Sequence, residues 1–225
     1  MAIYNKNRGG EISIASYNCN GLADNKKRQS VFTWLKEKEY NIYCLQEIHS
    51  TILDEVLWKK DWGGKIYFSH GQRNSKGVMV LINSNFDPNV QIVQTDHQGR
   101  WIILNMLLDN KQIRLINLYG PNNDDPSFFE NIYKNLSTLQ ATLDSIIMVG
   151  DFKTVLNTSM DRKGNHTTNY PPQALKEIMN VMDKLELVDI WRLKNPDLVR
   201  YTWRRLYQAS CLDYFLMPFS LAPKV

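Results

Sequence analysis

Residues able to bind phosphate and hard cations sit where the apolar runs of this chain stop. Asn18 and Asn20 follow the first run, and Glu47 closes the third element. Tyr119 and Asn122 follow a predicted hairpin, Asp151 follows Ser145–Val149, and Asp213 heads Leu-Asp-Tyr-Phe-Leu-Met. In sheet proteins, strand boundaries are where active-site loops gather. If these ends converge, carboxylates and amides surround one point. Hard oxygen donors of that kind suit Mg²⁺ or Mn²⁺ and not zinc. Taken singly, each is also an ordinary turn former, so the chemistry depends on convergence.

Positioning these residues requires strands. Glu11–Tyr17 carries Ile12 and Ile14 and runs into the loop Asn18-Cys19-Asn20-Gly21. Asn25–Lys38 sets Val31, Phe32, Trp34 and Leu35 on one stripe, predicting an amphipathic helix. Asn41–Leu45, Val78–Ile82 and Ile102–Leu108 are apolar runs of strand type. Leu108-Asp109-Asn110-Lys111 then turns the chain back into Ile113–Tyr119 as a hairpin. Further helices are predicted over Pro126–Leu143, with Pro near its start, and over Pro172–Leu185. Ser145–Val149 reads as a buried strand, and Leu187–Trp191, Arg200–Trp203 and Leu212–Met217 as short ones. With no repeat or linker, strands and interleaved helices predict one layered α/β (α+β) domain over residues 1–225.

Hydrophobic residues make up 43% of the chain and charged residues 22%, which excludes disordered and collagen-like classes. A formal charge of +4 permits an anionic partner without demanding one. The three cysteines have no metal-type spacing, and Cys19 and Cys44 lie in apolar runs, so buried thiols are expected and neither disulfides nor a zinc site. No segment approaches the ~18 apolar residues of a membrane span, and the N-terminus has no secretory apolar region. The chain therefore reads as intracellular and not secreted, with the nucleus open to it. Its sequons at Asn135, Asn157 and Asn165 are expected by chance. Basic clusters occur at Lys26-Lys27-Arg28, Lys59-Lys60 and Arg204-Arg205. The first stands where it can grip phosphates beside the Asn20 loop. Trp203 is expected in the core.

The segments SYNCNGL, LQEIHS, NLYGPN, VGDF and LDYFL occur in this order along nearly the whole chain. Together they resemble the endonuclease/exonuclease/phosphatase superfamily, and most of all the apurinic-endonuclease-like domains of non-LTR (LINE-type) retrotransposons. Tyr201-Thr202-Trp203-Arg204-Arg205 supports the same branch. The resemblance implies a DNase I-like four-layered α/β sandwich and Mg²⁺-dependent hydrolysis of DNA, leaving a 5′-phosphate and a 3′-hydroxyl. It also implies Glu47 as the main metal ligand with Asn18 beside it, and Asp151 as the residue that orients or activates water. Tyr119 and Asn122 would contact the scissile phosphate, with Asn20 nearby, and Asp213 would orient a histidine.

The chain departs from the family pattern at three places. Lys153 stands where the GDFN motif ends in asparagine. With a reference pKa near ~10.4 the ammonium stays charged, so it is expected to compete with Mg²⁺ for Glu47 and Asp151 or to pair with phosphate. The terminal Ser-Asp-His motif is absent, and none of His49, His70, His97 and His166 matches its position. A last strand lost with that motif predicts an exposed apolar sheet edge. Cys211 replaces the arginine usual before Leu-Asp-Tyr. Three readings stand open: an impaired Mg²⁺-dependent DNA endonuclease, an inactive DNA-binding module or retroelement relic, and a phosphatase or phosphodiesterase of the same superfamily.

Overall fold

The computed structural model describes residues 2–4, 12–108, 110–139, 145–164 and 172–224. In chain order the elements begin with β1 (Ala2–Tyr4), β2 (Ile14–Asn18), α1 (Asn25–Lys38) and β3 (Ile42–Gln46). They continue with α2 (Glu55–Trp62), β4 (Lys65–Ser69), β5 (Val78–Ile82), β6 (Asn89–Thr95), β7 (Trp101–Leu108) and β8 (Lys111–Tyr119). Then come α3 (Pro126–Thr138), β9 (Ser145–Asp151), β10 (Arg162–Lys163), α4 (Gln173–Lys184), β11 (Leu187–Asp189) and α5 (Ile190–Lys194). The series closes with β12 (Trp203–Arg205), β13 (Gln208–Ser210) and β14 (Asp213–Pro218). One sheet has the order β1-β2-β3-β5-β4 and the other β11-β14-β9-β8-β7-β6, with β10-β13-β12 as a small third.

Alternation along the strands sorts side chains into layers. Ile14, Ile42, Cys44, Val80 and Ile82 of the first sheet pack on Ile102, Leu104, Leu115, Ile147, Val149 and Phe215 of the second. Their neighbours face outward, where Tyr43, Leu45 and Leu81 meet Phe32 and Leu35 of α1 and Trp58 and Trp62 of α2. On the far side, Ile103, Ile116, Met148 and Leu216 meet Phe129 and Ile132 of α3 and Ile178 and Val181 of α4. Helix, sheet, sheet, helix is the four-layered sandwich that the family resemblance implies. Each fully buried aliphatic chain in it contributes about 1.5–3 kcal/mol.

The helices start and stop for local reasons. Asp24 caps α1 by accepting from the Lys27 N–H, and Asp125 caps α3 ahead of Pro126 at its first turn. The second helix ends at Thr138, because Leu139 is extended and turns into the core. The remainder of the predicted Pro126–Leu143 lies outside the described residues, as do Glu11 and Asp109. Leu187–Trp191 stops as a strand at Asp189, whose carboxylate accepts from the Trp191 and Arg192 N–H groups and begins α5. The strand expected at Arg200–Trp203 falls instead on Trp203–Arg205, in register with Gln208–Ser210. Strand β2 is paired on its outer side by β1, Ala2 with Ser16 through Tyr4 with Ile14. The cysteines are all buried and free. No helix among the described residues is long and apolar enough to cross a membrane.

Two strand pairs are parallel, β2 with β3 and β8 with β9. Their registers set Asn18 opposite Gln46 and Tyr119 opposite Asp151. Gly150 permits the second pairing, since a Cβ there would lie 2.0 Å from the Leu118 carbonyl oxygen. One polar layer crosses the sheet interface at this end. The Asn117 Nδ2 donates to the carbonyls of Leu45 (3.0 Å) and Met79 (2.9 Å), and its Oδ1 accepts from Gln46 Nε2 at 2.7 Å. Ser16 Oγ completes the layer, accepting from Gln46 Nε2 at 3.1 Å. Asn117→Ala removes three buried hydrogen bonds across the interface, to the Leu45 and Met79 carbonyls and from Gln46 Nε2. Urea unfolding is expected to show a loss of about 2–4 kcal/mol; a change below about 1 kcal/mol would mean the layer does not hold the sheets together.

Candidate active site

The residues that alternate two positions beyond the inter-sheet core form the rim above this polar layer. Asn18 follows Ser16, Tyr119 follows Asn117, Asp151 follows Val149, and Asp213 precedes Phe215 on the antiparallel β14. Glu47 is one residue past Gln46 and so out of phase with that face. Its left-handed backbone, φ 52°, turns the carboxylate back toward the rim. Such a conformation costs of the order of 1–3 kcal/mol in a non-glycine residue. It is held by Gly21 N–H donating to the Glu47 carbonyl at 2.6 Å and by Ile48 N–H donating to that of Gly77 at 3.0 Å.

These residues meet. Asn18 Nδ2 donates to Glu47 Oε1 and to Asp151 Oδ2, both at 2.8 Å. Its Oδ1 accepts from the Asn20 backbone N–H at 3.0 Å, which fixes which end of the amide faces the carboxylates. The Tyr119 hydroxyl donates to Glu47. Lys153, also left-handed at φ 55°, folds back so that its own N–H reaches Asp151 Oδ1 at 3.1 Å. Its Nζ lies 2.8 Å from Asp151 Oδ2 and 3.3 Å from Glu47 Oε1, and 5.0 Å from the centre of the Tyr119 ring.

Burial works against the charge of Glu47, but the donors Asn18, Tyr119 and Lys153 prevail and hold its carboxyl below the ordinary value. Burial likewise opposes the Lys153 ammonium, and the two carboxylates overcome it and raise its pKa. Tyr119 is raised by burial and by Glu47. Asp213 is pushed up to about 6, first by burial and then by facing Asp151.

Other expected residues stand at the margin. Asn20 is exposed, and its carbonyl accepts from Lys27 Nζ at 2.7 Å. Asn122 is exposed on the loop after β8. Asp213 is bound by Thr202 rather than by a histidine. His49 Nε2 lies 4.0 Å from Glu47 Oε2, and His70 bridges Ser50 Oγ (2.8 Å) and Glu55 Oε1 (3.0 Å). Ser50 is fully buried, so that trio braces the loop after Glu47 and offers no nucleophile. His97 sits at the surface beside Asp96, and His166 lies outside the described residues. Arg28 is no phosphate contact: it is buried over the Trp58 ring and paired with Asp61 at 2.9 Å. Trp203 is not core but 38% exposed, on the rim strand β12. Arg100 was not legible as a site residue. It donates to the Tyr119 and Gly120 carbonyls at 3.3 and 2.9 Å and fixes the turn that carries Tyr119.

Two carboxylates supply hard oxygens, but the arrangement as folded does not fit a divalent cation. The space between Glu47 and Asp151 holds an ammonium, and Asn18 turns N–H and not oxygen toward it. Among the described residues no three His, Cys, Asp or Glu side chains converge.

Residues 15–218 match the Endonuclease/Exonuclease/phosphatase family, and the chain belongs to it. A relative is the transposon TX1 uncharacterized 149 kDa protein of Xenopus laevis, 27% identical over 197 residues; these cover 87% of this chain and 15% of that protein. The fold is that of solved apurinic (AP) endonucleases. With the Leishmania major enzyme LMAP the TM-score is 0.75 at 16% identity, covering 92% of this chain and 79% of that one. An AP endonuclease from Archaeoglobus fulgidus gives 0.73 at 19% identity, covering 95% and 89%. The Neisseria 3′ phosphatase NExo, solved with a product DNA hairpin, gives 0.70 at 19%, covering 95% and 89%.

The raised pKa of Asp213 has a sign. Its native carboxyl, at about 6, binds a proton more tightly than the unfolded one. This favours the fold at low pH and is lost as pH rises from about 4 through 6. In Asp213→Asn that loss disappears. The Tm of the variant relative to the parent is expected to climb between pH 4 and 6 and level off above; a flat difference across that window would contradict it.

Proposed function

We propose that the chain hydrolyses phosphodiester bonds of DNA, as the endonuclease part of a LINE-type element. The reading is carried by the convergence of Asn18, Glu47, Tyr119 and Asp151 from four strand ends onto one rim, and supported by the family and the TX1 relative. In this reading water attacks phosphorus, the bond from phosphorus to the 3′ oxygen breaks, and a 5′-phosphate and 3′-hydroxyl result. Asp151 accepts the proton of the attacking water. Tyr119 turns its single O–H from Glu47 to a phosphoryl oxygen as charge develops. Asn20 and Asn122, exposed on either side, contact the strand. Mg²⁺ or Mn²⁺ is the cofactor this chemistry calls for, with Glu47 as its carboxylate once the Lys153 ammonium is displaced, and a DNA substrate is compatible with the nucleus.

The test is nicking of supercoiled plasmid with Mg²⁺ or with EDTA. Slow, Mg²⁺-dependent nicking is expected, with Glu47→Gln and Asp151→Asn each lowering it about 10²–10⁴-fold. The lysine between the carboxylates favours a second reading, an inactive DNA-binding module. Salt-sensitive DNA binding with no nicking by the parent or by Lys153→Asn would establish that reading instead.

Arg204 and Arg205 are exposed on the β12–β13 hairpin, which leads into Asp213. Replacing both with Ala is expected to weaken binding to all duplexes and to lower the slope of log K against log salt by about 2. An unchanged slope would remove the hairpin from the interface.

A further inference from the structure

We propose that Lys153 is the resident counter-ion of this centre: its ammonium occupies the position a divalent cation needs, so that metal binds only by expelling it. The proposal rests on the reading above, in which Glu47 holds the metal with Asp151 beside it.

The geometry is exclusive. Nζ sits 2.8 Å from Asp151 Oδ2 and 3.3 Å from Glu47 Oε1. Mg²⁺ requires oxygens at about 2.0–2.1 Å, so an ion bridging the same two oxygens overlaps the nitrogen. A charge of +2 beside +1 in a half-buried site adds repulsion. The lysine is also not a loose surface chain, since only 17% of its side chain is exposed. Two of its N–H groups answer carboxylates, and the Tyr119 ring lies alongside at 5.0 Å.

The backbone directs it there. Phe152 is fully buried, stacked on Phe129, and its N–H donates to the Leu212 carbonyl at 2.8 Å. With Phe152 anchored, the left-handed turn at Lys153 and its N–H bond to Asp151 return the side chain to the two acids. One ammonium against two carboxylates leaves a net charge of −1, and Asn18 adds a neutral donor shared by both acids. The acids are thus partly charge-balanced and hydrogen-bonded without an ion. Apparent metal affinity is then the intrinsic affinity multiplied by the fraction of molecules whose lysine is out. An outward fraction of about 1–10% weakens binding 10- to 100-fold.

Isothermal titration of Mn²⁺ into metal-free protein, without DNA, tests this. Lys153→Met is expected to bind at least 10-fold more tightly than the parent, Lys153→Asn likewise, and adding Glu47→Gln to either is expected to abolish the gain. Parent and variants with equal affinity would overturn the proposal. A measurement on the unaltered protein guards against misfolded variants. The Lys153 ammonium is expected to give a slowly exchanging ¹⁵N resonance that vanishes as Mg²⁺ saturates the site, and its persistence in the metal-bound protein would also overturn the proposal. The two readings fail separately. If neither the parent nor Lys153→Asn nicks DNA while Lys153→Met gains Mn²⁺ affinity, the nuclease reading is removed and the lysine keeps its role. A parent that nicks DNA and binds Mn²⁺ as tightly as the variant removes only the role of the lysine.

Discussion

The face-to-face stacking of two parallel strand pairs, β2–β3 on β8–β9, is the constraint that the rest of the molecule answers to. Parallel pairing sends neighbouring strands out at the same end, and stacking the pairs brings four such ends to one place. Apolar burial alone sets how far apart the sheets lie but does not set where one slides along the other. The Asn117 amide supplies that register, because it bonds backbone carbonyls of β3 and β5 and the side chain of Gln46 from across the interface. A slide of one residue would break all three of those bonds inside the interface. The layer above it is therefore positioned to within hydrogen-bonding tolerance, and that layer is the candidate site.

The same alternation that builds the core builds the rim. A strand that buries Val149 must present Asp151 on the same face two residues later, and at the strand end that face meets solvent instead of the opposite sheet. Residues out of phase with the face arrive by backbone conformation. Glu47 and Lys153 both adopt left-handed φ, and the opposite charges they bring in settle on one another. Asn20 and His49 share that conformation beside the cluster, and Glu39, Asn110, Glu186 and Leu206 adopt it elsewhere. In the proposed metal-dependent reading, stability and metal binding pull in opposite directions, since the ion pair between the lysine and the two acids also fills the space between them.

The fold was legible where burial is two-sided. Val78–Ile82 and Ser145–Val149 are apolar without interruption because sheet or helix covers both faces, and the stripe Phe129, Ile132 and Leu136 needed only one partner. Reading failed where an element meets solvent or is pinned by a few contacts. Helix α2 buries little beyond Trp58 and Trp62 and exposes Val56 and Leu57, so no stripe announces it. Strand β6 is an exposed edge without alternation. Arg28 looked like part of a basic cluster, yet α1 turns it onto Trp58 and Asp61. Trp203 looked like core and stands on an edge strand. In both cases the residue type was known and the direction of its side chain was not.

For the site, the chain order of Asn18, Glu47, Tyr119, Asp151 and Asp213 and the change to Lys153 were all visible in the residues themselves. These determined the family, the layered architecture and the kinds of group available, because apolar periodicity and residue chemistry are local properties of the chain. Tertiary structure decided which groups touch: that Asn18 serves both acids with its amide N–H, that Arg100 fixes the turn at Tyr119, and that the lysine lies between Glu47 and Asp151. The longest of those contacts join positions 133 and 106 residues apart, and all depend on sheet register or on single left-handed residues. Neither leaves a periodic trace in the sequence, since register is set by pairing across the interface and a left-handed φ in a non-glycine residue is imposed by surrounding bonds and not by the residue itself.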